Sequence, residues 1–290
     1  MRAMHFWVVG GDLRQAKLAE LLAEDGHTVH TYGLEKTAEA KGTVLEAESL
    51  LGIRRADCVI LPLPVVGEEG KVLAPLSDQV IPVEAVFTAM RPGQLALGGL
   101  IGPETAALGE EKEILLQDYF KREELAVANA VPTAEGALQL AMENLPITLH
   151  GCRALVMGYG RIGKILAHRL RGLGAFVTVA ARKYEQLAWA EAEGCTAQRL
   201  ADLPGWLCGY DLVLNTIPAC VLSEELLADL KPACLVIDVA SKPGGVDMEA
   251  AGRLGVPVIW ALSLPGKVAP VTAGRAIQQT VYHILQERGL

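Results

Sequence analysis

Arg153-Ala-Leu-Val-Met-Gly-Tyr-Gly-Arg-Ile-Gly-Lys164, followed after an amphipathic run by Phe176-Val-Thr-Val-Ala-Ala-Arg-Lys183, is the stretch whose reading decides the fold. Ala154 to Met157 are consecutive apolar residues, the pattern of a strand buried on both faces. Gly158, Gly160 and Gly163 follow at G-x-G-x-x-G spacing, and Ile165 to Leu173 carry apolar residues at helical intervals. The glycine spacing alone is weak evidence. A strand before it, and a helix and a second strand after it, make it a dinucleotide-binding β-α-β unit. Gly158 serves the tight turn, Gly160 lets a diphosphate approach the backbone, and Gly163 lets helix and strand pack closely. The diphosphate would rest on the unpaired N–H groups at the helix N-terminus, so Gly158, Tyr159, Gly160, Arg161, Ile162 and Gly163 are assigned to the cofactor site.

The second strand refines the choice of dinucleotide. An NAD site ordinarily places Asp or Glu about 20 residues beyond the glycines, where it accepts from the ribose hydroxyls. Here that place reads Ala180-Ala181-Arg182-Lys183, with no acid before Glu185. No carboxylate repels a 2′-phosphate, Arg182 offers it a planar fork and Lys183 adds a point charge. NADP is therefore expected over NAD.

Working outward, His5 to Val9 reads as a strand, Leu13 to Glu24 as an amphipathic helix and Thr28 to Tyr32 as a second strand. This is another β-α-β unit, but Gly10-Gly-Asp-Leu-Arg14 lacks the dinucleotide spacing, so the same topology is expected without the same ligand. Cys58 to Pro62, Gln94 to Leu100 and a short Leu125–Asn129 read as further strands, with a helix over Glu111 to Phe120. A helix over Thr133 to Leu145 is expected to take Thr133 as its N-cap after Pro132. Beyond the glycine-rich unit come a helix near Tyr184, strands at Asp211–Asn215, Cys234–Val239 and Pro257–Ala261, a loop over Leu264 to Gly274 and a closing helix over Arg275 to Glu287. The fold class is α/β, with two Rossmann-like domains of parallel sheet and flanking helices and a cleft between them. The expected division is 1–131 for a substrate or partner domain, 132–150 for a connecting helix and hinge, 151–270 for the Rossmann domain, and 271–290 for a helix packing back on the first domain.

Composition sets outer bounds. The chain has 290 residues, enough for two ordinary domains, and 51% of them are hydrophobic, which excludes disorder. A net charge of −8 argues against nucleic acid as a partner. The cysteines at 58, 152, 195, 208, 220 and 234 form no Cys-x-x-Cys pair and have no histidine at ligand spacing. They read as reduced, mostly buried thiols of a cytoplasmic protein without a metal site. The start has too short an apolar run for a signal peptide, and no segment approaches the ~20 apolar residues that span a bilayer.

Ligands of open parallel sheets bind beyond the carboxyl ends of the strands. That rule gathers the loops Gly10 to Arg14, Leu61 to Lys71, Pro132 to Gly136, Thr216 to Pro218, Ala240 to Gly245 and Leu264 to Gly274. Thr216, Ile217 and Pro218, with Ala240 and Ser241, are cofactor-contact candidates. The histidines at 5, 27, 30, 150, 168 and 283 all lie outside these loops. An alcohol or hydroxy-acid oxidation needs an acid or base poised near neutrality, so their absence argues against it. The loops offer cations instead, at Arg14, Lys71, Lys242 and Lys267, which suit a small polycarboxylate.

Four of these stretches, Gly10-Gly-Asp-Leu-Arg-Gln15, Val131-Pro-Thr-Ala-Glu-Gly136, Val236-Ile-Asp-Val-Ala-Ser-Lys-Pro-Gly-Gly-Val-Asp247 and Leu264-Pro-Gly-Lys-Val-Ala-Pro-Val-Thr-Ala-Gly274, together resemble the family of the dipicolinate synthase A-subunit. The resemblance runs from the first strand to the last helix, with one departure, Ser263 where glycine is expected. It implies an enzyme of the sporulating bacterium's mother-cell cytosol that oxidises dihydrodipicolinate to dipicolinate with NADP, alongside the flavoprotein-like B-subunit of dipicolinate synthase. Gaining an aromatic ring fits the missing histidine, and a dicarboxylate substrate fits the cations. Arg14, Lys71, Lys242, Lys267 and Thr272 are then expected to bind substrate, with Lys242, Thr133 and Glu135 as the catalytic candidates; a homo-oligomer is also expected. Two other readings stay open. One is an NADP-dependent dehydrogenase of the shikimate or methylene-tetrahydrofolate type, although no Lys–Asp catalytic arrangement is assignable in the first domain. The other is a non-catalytic NADP-binding subunit.

Overall fold

The computed structural model describes residues 2–37, 44–67 and 70–290. Glu68 and Glu69 of the expected loop from Gly67 to Lys71 lie outside the described residues. The chain falls into two compact units, Met1–Asn129 with Pro265–Leu290, and Ala130–Leu264. Among the described residues no helix is long and apolar enough to cross a membrane.

In the first unit β1 (His5–Val9), α1 (Leu13–Glu24), β2 (Thr28–Tyr32) and β3 (Leu45–Glu46) precede β4 (Cys58–Ile60), α2 (Val83–Ala89), β5 (Leu95–Gly98), α3 (Pro103–Glu111) and β6 (Leu115–Asp118). The strands pair in parallel in the order β3-β2-β1-β4-β5-β6. Strand alternation sorts the core into two layers. Phe6, Val8, Cys58 and Ile60 pack with Leu18 and Leu22 of α1, whereas Trp7, Val9, Val59 and Leu61 pack with Val86 and Phe87 of α2. The helix expected over Glu111 to Phe120 is instead the end of α3 and the strand β6. Its apolar run, Ile114-Leu115-Leu116, is too short to tell strand from helix by period.

A segment of the first unit lies over its own leading turn. Val66 and Val72 form an antiparallel bridge, as do Lys71 and Pro82. The Gly11 N–H donates to the Leu73 carbonyl at 2.7 Å. A β-carbon at Gly10 would lie 2.6 Å from Val72 Cγ1. Backbone and side chain thus occupy the space above this turn, where a dinucleotide-binding turn needs open backbone.

α4 (Glu123–Asn144) leads into the second unit and contains Pro132 in its interior. Leu125–Asn129 is therefore helical and not a strand, and Thr133 is a mid-helix residue and not an N-cap. Proline removes one backbone donor and strains the preceding turn, at about 3 kcal/mol. Burial of Leu125, Ala130, Ala134, Ala137, Leu138 and Ala141 along the helix offsets that cost.

The second unit runs β7 (Arg153–Met157), α5 (Arg161–Gly172), β8 (Phe176–Ala181), α6 (Tyr184–Ala192), β9 (Thr196–Arg199), β10 (Leu212–Asn215), α7 (Glu224–Ala228), β11 (Leu235–Asp238), α8 (Met248–Leu254) and β12 (Val258–Trp260). Its sheet is parallel, in the order β12-β11-β10-β7-β8-β9. Counted from its own first strand, this is the doubly wound order of the first unit.

The expected loop from Leu264 to Gly274 is helical, as α9 (Leu264–Val268) and the start of α10 (Pro270–Glu287). Pro270 sits at the first turn, where a missing N–H costs nothing, so it starts the helix that the sequence pattern alone begins at Arg275. Ser263 just before has φ +59, a left-handed conformation that explains why glycine is the natural occupant of that position. α10 lies against α1: a β-carbon at Gly274 would come 2.9 Å from the Arg14 carbonyl oxygen and 3.1 Å from the Leu18 nitrogen. Ile277, Val281, Ile284 and Leu285 complete the α1-side core.

A polar chain keys α10 to the turn after α1. The Met4 N–H donates to His27 Nδ1 at 3.1 Å, which leaves the neutral ring's proton on Nε2, 3.1 Å from the Tyr282 hydroxyl. Tyr282 donates to Asp25 Oδ2 at 2.7 Å, and Gln278 Nε2 donates to the same oxygen at 2.9 Å. Burial holds the His27 imidazole below its ordinary value of 6.5, against the opposing pull of Asp25. Burial, with the neighbouring His5, does the same to His30, which stacks on Trp7. The folded state prefers both rings neutral. This stability is present above pH 6.5 and is lost as pH falls through the lower folded values. The urea midpoint is expected to fall between pH 7 and pH 5, with a shallower fall in His27→Gln. Equal slopes in the two proteins would contradict the assignment.

Candidate nucleotide-binding site

The turn between β7 and α5 is built around its glycines. Gly158 has φ +92, and a β-carbon there would overlap Thr216 Oγ1 and approach Ile217 Cγ1 to 2.9 Å. A β-carbon at Gly163 would overlap the Gly158 carbonyl oxygen, so only glycine lets α5 settle this close to the turn. Gly160 is the N-cap and provides no side chain to cap the helix; nothing lies within 4 Å of where its β-carbon would be. α5 has no acid in its first turn and carries Arg169 and Arg171 in its last. An uncapped, acid-free helix start with open space over Gly160 fits the diphosphate of a dinucleotide.

Tyr159, between the first two glycines, points inward. It is buried, and its hydroxyl donates to Glu193 Oε2 at 2.8 Å while Gln186 Nε2 donates to its carbonyl at 3.4 Å. Burial, then the bond to Glu193, pushes its phenol up from the ordinary value. Tyr159 thus anchors α6 beneath the turn, and its contribution to the cofactor site is backbone. Arg161 and Ile162 form the first turn of α5.

β8 ends at Ala181, and Arg182 and Lys183 follow in exposed positions. Lys183 Nζ lies 3.4 Å from Glu185 Oε1, whereas Arg182 makes no hydrogen bond or ion pair with the described residues.

The ends of β10 and β11 carry two residues that the sequence reasoning leaves unassigned, Asn215 and Asp238. They are register partners and fully buried. Asn215 Nδ2 donates to Asp238 Oδ1 at 2.8 Å and to the Ile217 carbonyl at 3.0 Å, and its Oδ1 accepts from the Ile217 N–H at 3.1 Å. Asp238 also accepts from the Ala240 N–H at 3.0 Å and the Gly245 N–H at 2.7 Å. Trp260 Nε1 donates to the Ala240 carbonyl at 3.0 Å. The Asn215-Thr-Ile-Pro218 turn and the 240–245 loop are therefore held on one buried polar pair. A signal for it is present in the sequence: each of two apolar strands, Leu-Val-Leu-Asn215 and Leu-Val-Ile-Asp238, ends in a polar residue. Thr216 donates to the Met157 carbonyl at 2.9 Å, and with Ile217 it packs on Gly158, while Pro218, Ser241 and Lys242 are exposed. Lys242 makes no ion pair with the described residues.

Thr133 and Glu135 do not belong to a strand-end loop. Both lie within α4, where Glu135 Oε1 accepts from Arg169 Nη2 at 3.0 Å and ties α4 to α5.

In the first unit Arg14 is 6% exposed. Its Nε donates to both Asp12 oxygens at 2.9 and 3.1 Å, and Nη2 to Asp12 Oδ2 at 2.8 Å and the Leu63 carbonyl at 2.7 Å. Asp12 also caps α1. Arg14 is thus not the free cation expected, and only Nη1 remains uncommitted among the described residues. A β-carbon at Gly266 would lie 3.1 Å from both Arg14 Nε and Asp12 Oδ2, so the exposed Lys267 follows directly on this pair. Lys71 has its backbone in the bridge to Pro82, and Thr272 is exposed in the first turn of α10.

A doubly wound parallel sheet with this glycine turn is a dinucleotide-binding domain of the dehydrogenase kind. Residues 127–249 accordingly match the NAD-binding domain of the D-isomer specific 2-hydroxyacid dehydrogenases. Residues 5–120 match the N-terminal domain of the dipicolinate synthase A-subunit. The chain is 29% identical to the dipicolinate synthase A-subunit of Bacillus subtilis (strain 168), over 97% of this chain and 95% of that one. The crystal structure of the A-subunit of dipicolinate synthase from Bacillus halodurans superposes with a TM-score of 0.88 at 29% identity, covering 97% of each chain. The bifunctional protein FolD of Teredinibacter turnerae is 30% identical over 51% of this chain and 47% of its own length. On these findings the chain is similar to the dipicolinate synthase A-subunits along nearly its whole length.

Replacing Asp238 by Ala is expected to strand the Ala240 and Gly245 amides and one N–H of Asn215 and to lower stability by about 2–4 kcal/mol, with Asp238→Asn costing less. Chemical denaturation decides; an unchanged midpoint in Asp238→Ala would show that the pair does not hold the loops.

Proposed function

We propose that this chain oxidises dihydrodipicolinate to dipicolinate with NADP during spore formation, in the mother-cell cytoplasm and together with a flavoprotein-like B-subunit. The observation that carries the reading is the likeness to the Bacillus subtilis dipicolinate synthase A-subunit along nearly the whole of both chains. The dehydrogenase-type domain supports the redox half of it. NADP is favoured over NAD because the end of β8 presents at Arg182 a guanidinium unpaired among the described residues, with no acid before Glu185.

When bound, the nicotinamide supplies a two-electron hydride acceptor. The substrate's dihydropyridine ring would give up a hydride to that acceptor and a proton from the neighbouring carbon to solvent, and it gains aromaticity, so orientation does much of the work. Substrate carboxylates fall to the cations. In the first unit Arg14 offers Nη1 while Asp12 and the Leu63 carbonyl fix the rest of its fork, and Lys71, Lys267 and Thr272 are kept as further carboxylate-binding candidates. In the second unit Lys242 lies on the loop that Asp238 closes, and it stands with Thr133 and Glu135 as a catalytic candidate.

The deciding assay mixes purified protein, NADP and freshly generated dihydrodipicolinate with and without the B-subunit, and follows NADPH absorbance. NADPH formed without the partner supports a self-sufficient oxidoreductase, formation only with it makes the chain an NADP-binding component, and none in either case overturns the reaction. Lys242→Met and Lys267→Met are each expected to raise the substrate KM about tenfold or more, with the Kd for NADP little changed. Unchanged steady-state kinetics would remove that residue from the site.

A further inference from the structure

The corner of the second sheet where β8 and β9 end holds a second guanidinium besides that of Arg182. Ala181, the last residue of β8, is the register partner of Arg199, the last residue of β9. Arg182 and Lys183 follow directly on Ala181, and Tyr184 opens α6. The Arg199 guanidinium carbon stands 5.5 Å from the centroid of the Tyr184 ring. Stacking on the ring orients Arg199 but takes none of its N–H groups. Among the described residues Arg182 and Arg199 donate no hydrogen bond and form no ion pair. The acid of α6's first turn, Glu185, pairs with Lys183. Two uncommitted guanidinium forks therefore share one sheet corner without a carboxylate between them, in a chain whose net charge is −8.

We infer that Arg199, positioned by Tyr184, joins Arg182 in a seat for a ribose 2′-phosphomonoester. The inference rests on the NADP reading above and extends it to a strand that the glycine motif does not reach. The chemistry suits the pair: a phosphomonoester carries close to two negative charges and three acceptor oxygens at neutral pH, and planar guanidinium forks meet them in bidentate fashion. Tyr184 touches no phosphate in this scheme. It narrows the orientations open to Arg199, whose long side chain otherwise loses more freedom on binding.

Calorimetric titration of the full chain with NADPH, NADH, adenosine 2′,5′-bisphosphate and 5′-AMP tests the seat. The native protein is expected to hold NADPH above NADH. Arg199→Met should weaken NADPH and the bisphosphate about tenfold or more, and leave NADH and AMP within about twofold. Tyr184→Leu should weaken the same two ligands by a smaller factor, and Arg199→Lys should recover part of the loss. A native protein that holds NADH as tightly as NADPH overturns the NADP reading and the seat with it. A native preference for NADPH that Arg199→Met leaves intact, while Arg182→Met abolishes it, overturns the seat alone.

Discussion

The second unit depends on a steric exclusion: no side chain fits between the start of α5 and the carbonyl of Gly158. Glycine at 163 lets the helix descend until its uncapped end faces the turn, and that approach turns a generic strand–helix junction into a seat for phosphate. The neighbouring turn then closes over the same spot, with Thr216 and Ile217 packed where a Gly158 side chain would be. A side chain at Gly163 would have to move the helix, because the atoms it meets first are backbone.

Within each unit, charge is distributed in two ways. Buried polar groups are committed to each other: Asn215 to Asp238, Tyr159 to Glu193, Arg14 to Asp12. Such pairs lose solvation on burial and recover it only when their bonding is complete. Exposed cations such as Arg182, Arg199, Lys242 and Lys267 are left uncommitted among the described residues.

The central strands and glycine turn are legible in the sequence because each carries two agreeing signals, a continuous apolar run and a breaker with a mechanism. Proline misleads most. Pro132 looks like a helix boundary, yet the burial along α4 outweighs its local penalty; Pro270 looks like part of a loop, yet it begins α10. Because α4 is continuous, Thr133 and Glu135 are not loop residues. Sequence locates cations but not their company, so the bond from Arg14 to Asp12 is hidden in it, while the isolation of Arg182 follows from the lack of a nearby acid. Arg199 is out of reach, because its place beside Ala181 is set by strand pairing and not by spacing.

The two sheets share one strand order, but they differ in what stands over the leading turn. In the second unit there is open space above Gly160; in the first the Leu73 carbonyl accepts from the Gly11 amide, and Val72 lies where a Gly10 side chain would be, as Thr216 does at Gly158. The amide that would greet a phosphate oxygen is already spoken for by the chain itself. Repeated architecture therefore does not mean repeated chemistry: one strand order is built once with the G-x-G-x-x-G turn and once without it.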